Sequence, residues 1–132
     1  MKRTAVRRRK RMVSAARTDA RRQLKAECDR LCREIVFRHA GHKCEWCGSE
    51  KRLQWAHIMP RRYRHLVHDP ANALCLCVAC HLFRWHRNPL EAAAWLAEHK
   101  GAEFLQLLRV RAEAGAGKPD MEARLLWLKR QA

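Results

Sequence analysis

The sequence predicts a mainly helical α+β protein in which two short antiparallel strands and two cysteine knuckles sit between helical extensions. Apolar residues recur at three- and four-residue intervals from about Ser14 to His39, the period of one helix face. Two short runs, Arg52 to Ile58 and Asn72 to Cys77, are bounded by turn residues and have the length of strands. Cys44-x-x-Cys47 and Cys77-x-x-Cys80 stand at either end of that strand pair.

Taken in order, the chain divides into four parts. Residues 1–13 read as a disordered basic arm, because Lys2, Arg3, Arg7, Arg8, Arg9, Lys10 and Arg11 occur with no acidic residue and repel one another. Residues 14–40 form an amphipathic helix whose first half is basic and whose apolar stripe is Leu24, Cys28, Leu31, Cys32, Ile35 and Val36. Cys28 and Cys32 share that face and read as core thiols, since no second ligand pair is left to complete a metal site with them.

Residues 41–88 make the central unit. Gly41 ends the first helix, and Gly48 permits the tight turn that lets Cys44 and Cys47 face one point. Leu53, Trp55 and His57 alternate with Gln54, Ala56 and Ile58 along the first strand, which Pro60 closes. Asp69-Pro70 turns the chain into the second strand, and a helix runs from Ala79 to Trp85 or Arg87. Residues 89–132 are a helical extension. Asn88 caps its first helix, with Pro89 at the first helical position and Glu91 three residues after the cap. Gly101 stops that helix, a second covers roughly Ala102 to Ala114, Gly115 to Pro119 link, and Asp120 caps the last.

A chain of 132 residues supports one domain with extensions. Its formal charge of +16 and pI of about 10.6 call for a polyanionic partner, with nucleic acid ahead of a membrane surface. No run reaches the about eighteen apolar residues of a membrane span, and the basic amino terminus lacks the apolar core of a secretory signal. A cytoplasmic protein is expected, its seven cysteines serving as thiolate ligands or buried thiols rather than disulfides.

Zinc takes four soft ligands at tetrahedral angles, and two Cys-x-x-Cys knuckles supply two sulfurs each. Cys44, Cys47, Cys77 and Cys80 meet that requirement, with 29 residues between the knuckles folding back as a unit of their own. Cys75 lies too far along the strand to replace a member of the quartet and reads as buried packing.

Between and just after the knuckles stand His57 in Ala-His-Ile-Met-Pro-Arg, Asn72 in Asn-Ala-Leu-Cys-Leu-Cys, and His81 in Cys-Val-Ala-Cys-His. His57 and Asn72 are 15 positions apart, and Asn72 and His81 nine. This segment, about Gly41 to His86, resembles the HNH nucleases, whose ββα-metal fold often carries such a zinc-binding cysteine quartet. The resemblance implies a metal-dependent endonuclease that hydrolyses DNA phosphodiester bonds, with structural Zn²⁺ and a catalytic cation such as Mg²⁺ or Mn²⁺. It implies His57 as general base, Asn72 as the residue holding the loop against the His57 strand, and His81 as a metal ligand. Arg61, Arg62 and Arg64, with Tyr63 among them, would grip the DNA backbone beside the cut. Small free-standing members of the family often belong to phages or mobile elements, and some work with packaging proteins.

The chain departs from the family at two places. Many members carry Asp or His just before the base, where this chain has Ala56, so another side chain supplies that ligand, His57 itself binds metal, or the site is weakened. A third ligand would stand one turn after His81, at Trp85; His86 lies about 140° around an ideal helix and joins only if the helix loosens before Asn88-Pro89. His65, His68 and His99 read as surface histidines. The rival reading is a zinc-dependent nucleic-acid-binding module without catalysis, and RNA remains open as the target.

Overall fold

The computed structural model describes residues 2–115 and 117–132, with the side chains of Lys2 and Arg3 left undescribed. Helix α1 spans Lys2–His39, β1 Leu53–His57 and β2 Ala73–Cys77. A π-helical segment Cys80–His86 follows, then α2 Pro89–Lys100, α3 Ala102–Ala114 and α4 Met121–Gln131. The strands pair antiparallel in the register Leu53↔Cys77, Trp55↔Cys75 and His57↔Ala73. This is the expected mainly helical α+β architecture, with two strands and a four-cysteine cluster.

The hairpin lies between two apolar layers. On one face Trp55, Ala73 and Cys75 meet Cys28, Leu31, Cys32, Ile35 and Val36 of α1, with Leu128 of α4 closing the cluster. On the other, Ala56, Leu74 and Leu76 meet Cys77, Cys80 and Leu96 of α2. Burying a side chain such as Ile35 or Leu74 contributes about 1.5–3 kcal/mol each, so the central unit leans on both helical extensions. A third cluster, Leu66 with Leu108 and Ala112, ties α3 to the loop between the strands.

Local signals set most of the ends. Gly41 leaves α1 at φ 66° and Gly101 leaves α2 at φ 89°. The Asn88 side chain accepts from the Glu91 N–H at 3.4 Å while its amide donates to the Glu91 carboxylate at 3.0 Å. Asp120 accepts from the Ala123 N–H at 3.0 Å.

Two expectations need correction. The arm over 1–13 is helical from Lys2 onward, continuous with α1, while Met1 lies outside the described residues. No glycine or proline precedes Gly41, Arg, Lys and Ala are strong helix formers, and a helix anchored by its packed second half propagates at little cost. His68 is not a surface residue either: it is 5% exposed, because α1 covers it. Ala116 of the expected linker lies outside the described residues.

Candidate active site and metal centre

The four sulfurs of Cys44, Cys47, Cys77 and Cys80 lie within 4.8 Å of one another. Bonds of about 2.3 Å at tetrahedral angles place sulfurs roughly 3.8 Å apart, and the Cys47 and Cys77 Sγ atoms stand 3.6 Å apart. Backbone geometry builds both knuckles: Gly48 N–H donates to the Cys44 carbonyl at 2.8 Å, and Cys80 N–H points at the Cys77 sulfur at 3.4 Å. Burial opposes ionisation of Cys44, yet hydrogen bonds from the backbone of Cys47, Cys77 and Trp46 draw its pKa down to about 7. Cys80 is pushed the other way by burial and by its neighbouring thiols. Four thiolates cannot crowd together without a cation, and the quartet is compatible with a structural zinc. Cys28, Cys32 and Cys75 are fully buried in the α1 cluster, where burial pushes the Cys32 and Cys75 thiols up to about 12.

His57 ends β1, half-buried. Its Nε2–H donates to the Val67 carbonyl at 2.9 Å, since a carbonyl can only accept. The neutral ring therefore keeps its lone pair on Nδ1. Burial lowers its pKa below the ordinary 6.5, and the Arg61 and His68 charges lower it further against the pull of the Val67 carbonyl and Asp29.

Asn72 is fully buried and spans the loop. Its Oδ1 accepts from Met59 N–H at 2.7 Å, and its Nδ2 donates to the carbonyls of Met59 at 3.2 Å and Leu66 at 3.1 Å. Both ends of the segment carrying Arg61, Arg62 and Arg64 are thus tied to one amide.

His81 and His86 come together. Their Nε2 atoms stand 2.9 Å apart, because the segment Cys80–His86 closes i→i+5 hydrogen bonds and stacks residues five apart on one face. An α-helix would have turned His86 away. Gln54 Oε1 accepts from His81 Nδ1 at 2.6 Å, which leaves the Nε2 lone pair aimed at His86. Burial lowers the His81 pKa, with the His86 and His57 charges adding to it. Two converging imidazole nitrogens can share one proton or one cation. Gln54 was missed from the sequence, although the strand alternation that puts it on the Ala56 face was the signal. Ala56 itself is 1% exposed among Leu74, Leu76 and Cys80, so nothing at that position reaches an ion.

Residues 44–87 match the family model described as HNH endonuclease. Over that stretch the chain is similar to that family. No curated protein and no solved structure matches the chain. The matched stretch is a third of the sequence, so α1 and the whole extension after Arg87 lie outside it, although both pack against it.

Beside the HNH unit, exposed Arg61 and Arg64 line a cleft of about 680 Å³ with Arg21 and Lys25 of α1 and Lys118 before α4. The Arg61 guanidinium stands 5.8 Å over the Trp55 ring, and the His57 ring lies 4.4 Å from that ring between centroids. Arg62 lies 5.0 Å over Tyr63.

Proposed function

We propose that the protein is a metal-dependent endonuclease cutting DNA phosphodiester bonds, with His57 as general base and His81 and His86 as the holders of a divalent cation. The observation that carries this reading is the 2.9 Å approach of His81 and His86 beside a histidine held in its Nε2–H tautomer. His57 Nδ1 would take the proton of a water attacking phosphorus, while the bond to the leaving oxygen breaks. A cation such as Mg²⁺ or Mn²⁺ at the histidine pair would neutralise charge developing on the scissile phosphate and the leaving oxygen. Asn72 would keep the loop closed on β1, and Gln54 would hold His81 in the ligating tautomer. DNA follows from the family, and the charge of +16 agrees with a polyanion. Among the described residues no helix is long and apolar enough to cross a membrane.

The rival reading, a zinc-dependent nucleic-acid-binding module without catalysis, is favoured by buried Ala56, which leaves the histidine pair without a carboxylate. Cleavage of plasmid and oligonucleotide DNA across a panel of divalent metals decides between them. Imidazole ligands suit transition metals better than Mg²⁺, so activity should appear at lower Mn²⁺ or Ni²⁺ than Mg²⁺. A pure, zinc-loaded sample that binds DNA but fails to cut it under every metal tried would support the binding module.

The first turns of α1 also make a prediction. Residues 1–11 hold seven basic residues, and the described side chains among them are exposed. Deleting them should flatten the slope of log affinity against log salt by roughly two to five units, at about 0.9 per phosphate contact. Salt titrations of binding with full-length and truncated protein, both carrying His57→Ala, measure it. An unchanged slope would leave the affinity to the cleft and the rest of α1.

A further inference from the structure

We propose that the Asp29–His68 pair is a positioning device for His57, so that a helix outside the HNH unit holds the general base in its working tautomer. The proposal rests on the reading of His57 as base. Its geometry does not.

The chain of contacts is short. Asp29, on α1, accepts from His68 Nε2 through Oδ1 at 2.5 Å and from Lys25 Nζ through Oδ2 at 2.8 Å. His68 is buried under α1, its ring 6.0 Å from the Trp55 ring. The residue before it, Val67, supplies the carbonyl that accepts the His57 Nε2–H. Fixing the His68 side chain therefore fixes the peptide on which the tautomer of His57 depends. Asn72 holds the preceding peptide through the Leu66 carbonyl.

Nothing regular in the backbone would do this alone. The stretch from Arg64 to Asp69 has one short 3₁₀ turn and no strand partner. A carbonyl in such a loop turns with modest changes of φ and ψ, and without it the two tautomers of a neutral imidazole are close in energy. Nδ1 would then carry the proton part of the time, when it could accept none. The loop is pinned from the extension as well. Arg111 of α3 pairs with Asp69, and His65 donates to the Arg111 carbonyl at 2.8 Å. A Cβ on Gly115 would fall 2.0 Å from the His65 ring, so α3 ends against this loop with no room to spare. Asp29 is the member aimed at the residue next to Val67. Both Asp29 and Arg111 fall outside residues 44–87.

The test uses zinc-loaded full-length protein carrying Asp29→Asn, which keeps the volume, or Asp29→Ala. Ring ¹⁵N spectra of His57 should show the Nε2–H tautomer alone in the parent and a mixture in the variants. Single-turnover cleavage at saturating protein should fall by about ten- to a hundredfold, the scale of a misplaced catalytic group, while DNA affinity measured on a His57→Ala background stays unchanged. A folded Asp29 variant with one tautomer and the parent rate overturns the proposal, as does one whose loss lies wholly in affinity. If Asp29→Ala fails to fold, Asp29→Asn decides. Should the parent cleave no DNA under any metal, the nuclease reading fails, while the spectra still decide whether Asp29 holds His57.

Discussion

His57→Ala should abolish cleavage, lowering the rate by about a hundred- to ten-thousandfold, the usual contribution of a general base. Zinc content should not change, because the ring touches none of the four cysteines and its hydrogen bond goes to Val67. DNA affinity should also hold, since the basic groups that would meet phosphates, Arg61 and Arg64 with Arg21, Lys25 and Lys118, are untouched by the substitution. The pH profile sharpens the test. A base acts when neutral, and burial lowers the His57 pKa below 6.5, so the acid limb of the parent's rate should lie below pH 6.5. Stability follows the same direction. The unfolded chain binds that proton at about 6.5 and the folded one only at lower pH, so the folded state loses ground as pH falls below 6.5. A His57→Ala protein that cuts at the parent rate, or a parent whose acid limb stands well above pH 6.5, would remove His57 from the base's role.

Cys77→Ser should cost the central unit its cooperative fold. Structural zinc in small domains binds with about 10–16 kcal/mol, which equals or exceeds the about 5–15 kcal/mol by which whole domains are stable. Cys77 ends β2 and begins the second knuckle, so its loss frees both the Leu53↔Cys77 end of the hairpin and the start of the π-helical segment. Ala56, Leu74, Leu76 and Leu96 would lose the cluster that the quartet closes. The expected result is a sample with little bound zinc, a broadened melting transition and no cleavage, while α1 keeps much of its helicity. Elemental analysis and calorimetry check it. An active, sharply melting sample without zinc would show that the quartet is four buried thiols and no more.

Some of this molecule can be read from the sequence because the determinants are local. A Cys-x-x-Cys turn brings its sulfurs together within four residues, and Asn88, Gly101 and Asp120 mark helix ends through groups at most three positions away. The spacing of His57, Asn72 and His81 marked a segment that the family match then covered. Asn72 was singled out by the resemblance, and its amide bonds Met59 and Leu66 across the loop. Charge repulsion alone predicts a disordered arm, but the anchored helix behind it carries the winding to Lys2, and His68 is buried because the burial of a loop residue depends on what packs over it.

Tertiary structure alone decided the rest. Cys80–His86 winds as π rather than α, and that choice moves His86 from the far side of a helix to 2.9 Å from His81. Gln54 meets His81 only because the hairpin packs on that segment. The pairing of Asp29 with His68 joins residues 39 positions apart, and no periodicity or spacing encodes it. Side chains so distant find one another only after burial of Cys28, Leu31, Cys32 and Ile35 has laid α1 across the hairpin. The apolar stripe that drives this docking is written in the sequence, but the polar contacts it brings into register appear only once the packing is complete.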